Sequence, residues 1–140
     1  MTAVRLKMHR VEKPWGRHKL FPGFADAAEG GEPVGEVWFQ RPDGQEPELL
    51  VKYLFTSERL SIQVHPDDEQ AVQRGYERGK SEAWVILDAE EDSTIALGLN
   101  DTISHEKLRQ AAESGEIEQL VDWKPVAAGD VLTATGLPLR

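Results

Sequence analysis

Cysteine is absent from this 140-residue chain, so disulfides and thiolate metal sites are both excluded. Long hydrophobic runs are missing too: nothing approaches the roughly 20 apolar residues of a membrane-spanning helix. No charged start followed by an apolar centre opens the chain, which leaves a cytoplasmic protein as the expectation. Positive charge is scarce. Lysine and arginine total 16 against 25 acidic residues, a net charge of −9. Phosphate-backbone binding needs a basic surface, so nucleic acid is not an expected partner. A few lysines gathered locally can still hold one small phosphate. There is neither an internal repeat nor a low-complexity linker.

What remains is a chain long enough for one domain with a real core. Residues 1–35 hold Pro14, Pro22, Pro33 and several glycines, and predict irregular turns with one short strand near Val4–Met8. "GEVWFQ" (Gly35–Gln40), "LLVKYLF" (Leu49–Phe55) and "LSIQVH" (Leu60–His65) predict strands. "RPDGQEPE" (Arg41–Glu48) predicts a turn with Asp43–Gly44 at its tip. "DDEQAVQRGY" predicts a short helix capped by Asp67 or Asp68, with Ala71, Val72 and Tyr76 as its apolar stripe. "SEAWVILDA" (Ser81–Ala89) and "STIALGL" (Ser93–Leu99) predict two more strands. Thr102 or Ser104 can cap a helix carrying Leu108, Ala111 and Ala112, with Gly115 as its stop. "EIEQLV" continues the helical spacing through Ile117, Leu120 and Val121, and "AAGDVL" reads as a turn entering a last strand.

Chemistry gathers around "SERLSIQVHPDDEQA" (Ser57–Ala71). Alternation in an extended segment sends Leu60, Ile62 and Val64 to one face and Ser61, Gln63 and His65 to the other. In "GKSEAW" (Gly79–Trp84), the same period puts Lys80, Glu82 and Trp84 on one face. If those segments pair or oppose, an amide, an imidazole and a carboxylate converge, a donor set suited to zinc or another first-row divalent ion. The plainer alternative is a solvated strand face with Glu82 as a surface acid.

"LSIQVHPDDEQA" resembles the signature of the type I phosphomannose isomerases, also called mannose-6-phosphate isomerases. "KPWG" (Lys13–Gly16), "GEVW" (Gly35–Trp38), "LLVKYLFTSERLSIQVHP" (Leu49–Pro66), "GKSEAWVIL" (Gly79–Leu87), "ISHEKLRQAAESGEIEQLV" and "VAAGDVL" resemble the same family in the same order. The resemblance implies a mainly β, cupin-like jelly roll with short helices, residues 1–140 forming a single cupin-type domain. It implies a zinc ion and the interconversion of mannose 6-phosphate and fructose 6-phosphate. Carried over residue by residue, the implied metal ligands are Gln63, His65 and Glu82. The implied substrate contacts are Ser61, near the phosphate, and the pocket lysines Lys52 and Lys80. The motifs leave the acid–base residue unassigned. Trp15 is expected over a Pro-Gly turn, with Trp38 and Trp84 as core aromatics. His9, His18 and His105 match no ligand motif.

One departure stands out. After a turn like "AAGDVL", family members continue into an aromatic–Pro-x-Gly stretch carrying a further histidine ligand. This chain reads "TATGLPLR", and no histidine follows His105. The expectation is an amino-terminal portion with an incomplete jelly roll, weakened metal binding and little turnover. Uncovered strand edges would favour self-association. The alternative function is a non-catalytic cupin module that binds a metal or a sugar phosphate.

Overall fold

A computed structural model of the chain describes residues 3–45 and 47–134. Glu46 of the predicted turn, and "TGLPLR" of the departing carboxy-terminal stretch, lie outside the described residues. The described chain is mainly β with three short helices, and it divides between Ser61 and Ile62 into two compact units.

The first unit is an antiparallel sheet of β1 (Lys7–Arg17), β2 (Val34–Gln40) and β3 (Val51–Leu54), in that order. β1 is a correction: an 11-residue strand occupies much of what reads as irregular sequence. Pro14 has no N–H to give a ladder, and the β1–β2 register breaks around it, with both Glu12 and Arg17 opposite Val34. The sheet partner β2 overrides the local turn signals, because regular pairing elsewhere satisfies the backbone.

Period-two alternation places Val37 opposite Tyr53, and Phe39 opposite Val51. Val37 is fully buried and forms a core with Val34 and Phe55. Burying a side chain of this size is worth about 2 kcal/mol. Phe24, from the segment after β1, closes that core. Its ring meets Tyr53 at 4.8 Å and Phe55 at 5.5 Å, both edge-on, the geometry that ring quadrupoles favour. The segment folds back because Ala27 N–H donates to His18 O at 3.0 Å and Leu20 N–H to Asp26 Oδ1 at 2.9 Å.

Trp15 also corrects the expectation. It sits in β1, half-buried, with its ring over Gly35 of β2, where an added Cβ would lie 2.9 Å from the indole. Gly16 in turn lies against the Val34 backbone too closely for any side chain. The "KPWG" and "GEVW" segments are therefore two halves of one contact, and its glycines are there for close approach.

The second unit contains α1 (Asp68–Gln73), β4 (Glu82–Val85), β5 (Thr94–Leu99), α2 (His105–Ser114), α3 (Ile117–Leu120), β6 (Val121–Pro125) and β7 (Val131–Ala134). Its strands form two antiparallel pairs, β4 with β7 and β5 with β6. The helix caps fall where side-chain chemistry predicts. Asp67 Oδ1 accepts from Gln70 N–H at 2.8 Å, Ser104 Oγ from Lys107 N–H at 3.2 Å, and Gly115 takes φ 83° after α2. At the turn before β7, Asp130 Oδ2 accepts from Ala127 N–H at 2.8 Å.

Four expectations fail, most of them in this unit. Leu60–His65, which begins in the first unit, forms no strand, and Val64 is exposed. Alternation makes a segment capable of pairing, but a strand also needs a neighbour to complete its ladder. Val72 and Tyr76 are exposed as well, leaving Ala71 as the buried contact of α1. Val121 starts β6 rather than ending a helix: Asn100 N–H donates to Leu120 O at 2.8 Å and Asn100 Nδ2 to Val121 O at 3.2 Å, turning the chain into the β5 ladder. Trp38 and Trp84 are half-buried, not fully enclosed.

Two tests follow from this packing. Gly16→Ala and Val37→Ala should each lower stability by about 2 kcal/mol in urea unfolding, whereas Val4→Ala on the surface should change it by less than about 0.5 kcal/mol. The second test concerns Asp43. The hydrogen bonds from Arg41 and then from the Gln45 N–H hold its carboxyl at about 2, below its ordinary 3.8. A lowered carboxyl contributes stability that is complete above the ordinary value and is lost as pH falls through about 2. Carbon-13 NMR should show that midpoint, and Arg41→Ala should move it upward.

Candidate metal and phosphate site

Pro66 is where the second unit's cluster begins. A proline restricts the residue before it to extended backbone, which fixes the direction in which His65 leaves the chain. Three interactions then clasp Pro66–Asp68 to Gly79–Lys80. Lys80 N–H donates to Pro66 O at 3.2 Å, and Gly79 N–H donates to Asp68 Oδ1 at 2.9 Å. Gly79 itself lies so close that a Cβ would stand 2.5 Å from Pro66 O and 2.6 Å from the Asp67 carbonyl carbon. Asp67 is occupied with capping α1, so the loop is anchored on both sides.

The clasp brings His65 to the start of β4. Alternation puts Lys80 and Glu82 on one face, and pairing with β7 holds Glu82 opposite Ala134 and Trp84 opposite Leu132. Lys80 Nζ lies 2.6 Å from Glu82 Oε1 and 3.3 Å from His65 Nε2, while His65 Nε2 lies 3.4 Å from Glu82 Oε2. The side chains of Glu82 and His65 are 17% and 23% exposed, and that of Lys80 is 49% exposed, so the carboxylate and imidazole are sheltered beneath the lysine. The His65 Nε2 thus faces both a donor-only ammonium and an acceptor-only carboxylate, and its tautomer sets which of them it bonds; one nitrogen and one oxygen lie together beside a single positive charge.

That is also what a first-row cation requires. Bond lengths of about 2.0–2.2 Å at tetrahedral angles separate two donors by about 3.3–3.5 Å. The 3.4 Å between His65 Nε2 and Glu82 Oε2 fits one edge of such a sphere. Among the described residues no group of three or more His, Cys, Asp or Glu side chains is placed to hold one ion, so the pair needs an amide or a further donor beside it. Gln63 is exposed, two residues upstream of His65.

The remaining predicted residues belong to the first unit. Ser61 is exposed. Lys52 in β3 stands opposite Trp38, with its Nζ 5.9 Å from the ring centroid and 3.6 Å from Glu36 Oε1. Trp38 Nε1 donates to the other oxygen, Glu36 Oε2, at 2.5 Å. His9, His18 and His105 are all exposed. Sequence reasoning missed Asp68 and Gly79 as the residues that position the cluster. "DD" and "GK" carry the signal, but only as a generic cap and a generic turn.

No family profile matches the chain. Curated relatives do. The chain is 36% identical over 107 residues to the probable mannose-6-phosphate isomerase GmuF of Bacillus subtilis (strain 168), a match covering 71% of this chain and 34% of that one. It is 40% identical over 82 residues to a mannose-6-phosphate isomerase of Streptococcus mutans, covering 59% of this chain and 26% of the relative. The matched segment belongs to the mannose-6-phosphate isomerase family. The chain spans about a third or less of the length of the curated relatives it matches. The crystal structure of the mannose 6-phosphate isomerase from Bacillus subtilis superposes with a TM-score of 0.71 at 24% identity, over 95% of this chain and 52% of that one. The fold shared with that isomerase is mainly β and cupin-like, with short helices, as the sequence predicts.

The clasp makes its own prediction. Gly79→Ala forces a Cβ into the Pro66–Asp67 backbone and should cost about 2 kcal/mol in urea unfolding. Gly23→Ala, where the added Cβ meets open space but φ is 103°, serves as the comparison for backbone strain alone.

Proposed function

We propose that this chain is part of a mannose-6-phosphate isomerase that interconverts mannose 6-phosphate and fructose 6-phosphate with one zinc ion. The observation that carries the reading is the meeting of the His65 imidazole and the Glu82 carboxylate at 3.4 Å, in a chain whose relatives are named for that activity. In this proposal Gln63, His65 and Glu82 hold the ion, within one cupin-type domain over residues 1–140, in the cytoplasm. When bound, zinc supplies Lewis-acid polarisation of a sugar oxygen.

The chain's own residues have separate tasks. Aldose–ketose isomerisation moves a proton between C1 and C2 beside a carbonyl, so the two carbons must be held in register with a base. Lys52 and Lys80 would bind the anionic phosphate as point charges, with the Ser61 hydroxyl donating to a phosphate oxygen. Anchoring the phosphate end fixes the reacting end, since the sugar chain between them is short. Strand edges that are unpaired among the described residues, such as that of β3 with its exposed Val51, would let copies of the chain associate.

Zinc titration by calorimetry and a coupled assay from fructose 6-phosphate test the proposal together. The purified chain should bind about one zinc weakly, and any turnover should be small and should require zinc. His65→Ala and Glu82→Gln should each weaken zinc binding by at least about tenfold, as loss of a metal ligand does at minimum. Tight zinc binding with no turnover at all would favour a metal-binding module over the isomerase.

A further inference from the structure

Lys80 stands in an unusual position for a residue expected to grip a phosphate. Its ammonium is already committed, 2.6 Å from Glu82 Oε1 and 3.3 Å from His65 Nε2, on the two donors that the zinc reading assigns to a metal. One carboxylate and one imidazole nitrogen therefore face two candidate cations. A divalent ion on those donors would meet a positive charge at hydrogen-bond range of both, and like charges so close in a sheltered site repel strongly. The two cannot hold the same donors at full strength.

We propose that Lys80 is an exchangeable counter-cation for Glu82: a divalent metal displaces its ammonium, and the displaced lysine becomes free to bind the anionic group of the sugar phosphate. The inference rests on the metal reading above and adds an order to it, metal before phosphate. Three features support the exchange. Lys80 is the most exposed of the three side chains, at 49%, so its head can swing into water at little cost. Its backbone does not have to move, because the N–H bond to Pro66 O and the Gly79 clasp fix the main chain independently of the side chain. Glu82 and His65 are held from different elements, β4 and the loop before α1, so their spacing survives removal of the ammonium.

The exchange also gives the "GKSE" segment a physical logic. A lone Glu82 beside His65, sheltered in a chain of net charge −9, would hold a negative charge that the ammonium neutralises. Once a divalent ion takes over that neutralisation, the same lysine sits within one side-chain length of the ion. There its charge can meet a second anion.

Calorimetric zinc titration of the full chain, Lys80→Gln and Lys80→Arg tests this, with circular dichroism to show that each variant is folded. Lys80→Gln should bind zinc about fivefold more tightly than the parent, the gain expected from no longer breaking a half-exposed ion pair. Lys80→Arg keeps the competing charge and should bind like the parent. A second readout needs no variant. Acetylation of Lys80 by an N-hydroxysuccinimide ester, mapped by peptide mass spectrometry and normalised to the exposed Lys107, should rise when zinc is added. Equal zinc affinity in all three proteins, or unchanged Lys80 acetylation, overturns the exchange while leaving the metal reading standing. Folded parent and Lys80→Gln proteins that both fail to bind zinc overturn the two readings together.

Discussion

A missing side chain is the constraint from which the candidate site follows. Gly79 lets two stretches of backbone come closer than any Cβ would permit, and Asp68 closes the gap by accepting the Gly79 amide. Only then does His65, on irregular backbone, reach Glu82 on a short strand. Neither residue could be brought to the other by its own secondary structure. The sheet pairing of β4 with β7 sets the direction of Glu82, and Pro66 sets that of His65. The clasp sets the distance between them.

The first unit uses the same device for a different end. Gly16 and Gly35 allow β1 to lie flat on β2 with Trp15 across the contact. That arrangement lets β2 carry Glu36 and Trp38 on the face opposite Val37, where both touch Lys52. Lysine 52 is thus held by a carboxylate and a ring. Lysine 80 is held by a carboxylate and an imidazole. In the first unit the lysine reaches a glutamate diagonally across a strand pair, and in the second a glutamate two residues on in sequence.

Much of this was legible in the letters, and the failures are instructive. The caps Asp67 and Ser104, the stop at Gly115, the strands β2 and β5 and the Asp43–Gly44 turn all follow from local chemistry: a side-chain oxygen, a positive φ, an alternating run. Lys80 and Glu82 share a face as a period of two requires. Leu60–His65 failed because alternation records the capacity to pair and not the presence of a partner. β1 was hidden because Pro14 and Gly16, with the prolines and glycines that follow, read as turns, although Pro14 sits where the ladder is already broken. Val121 was read into a helix because Ile117, Leu120 and Val121 fit helical spacing, while the Asn100 side chain that redirects the strand lies 21 residues away.

Sequence alone determined the kinds of donor present, their order along the chain, the lack of any thiolate and the likeness to a sugar-phosphate isomerase. Those are properties of side-chain chemistry and of short-range spacing, which need no folding to be read. Tertiary structure alone decided that His65 reaches Lys80 and Glu82, which period-two spacing had already set on one face. Such facts depend on contacts between residues more than a dozen positions apart. Close backbone approach and strand pairing create those contacts, and no periodicity within a single segment encodes them.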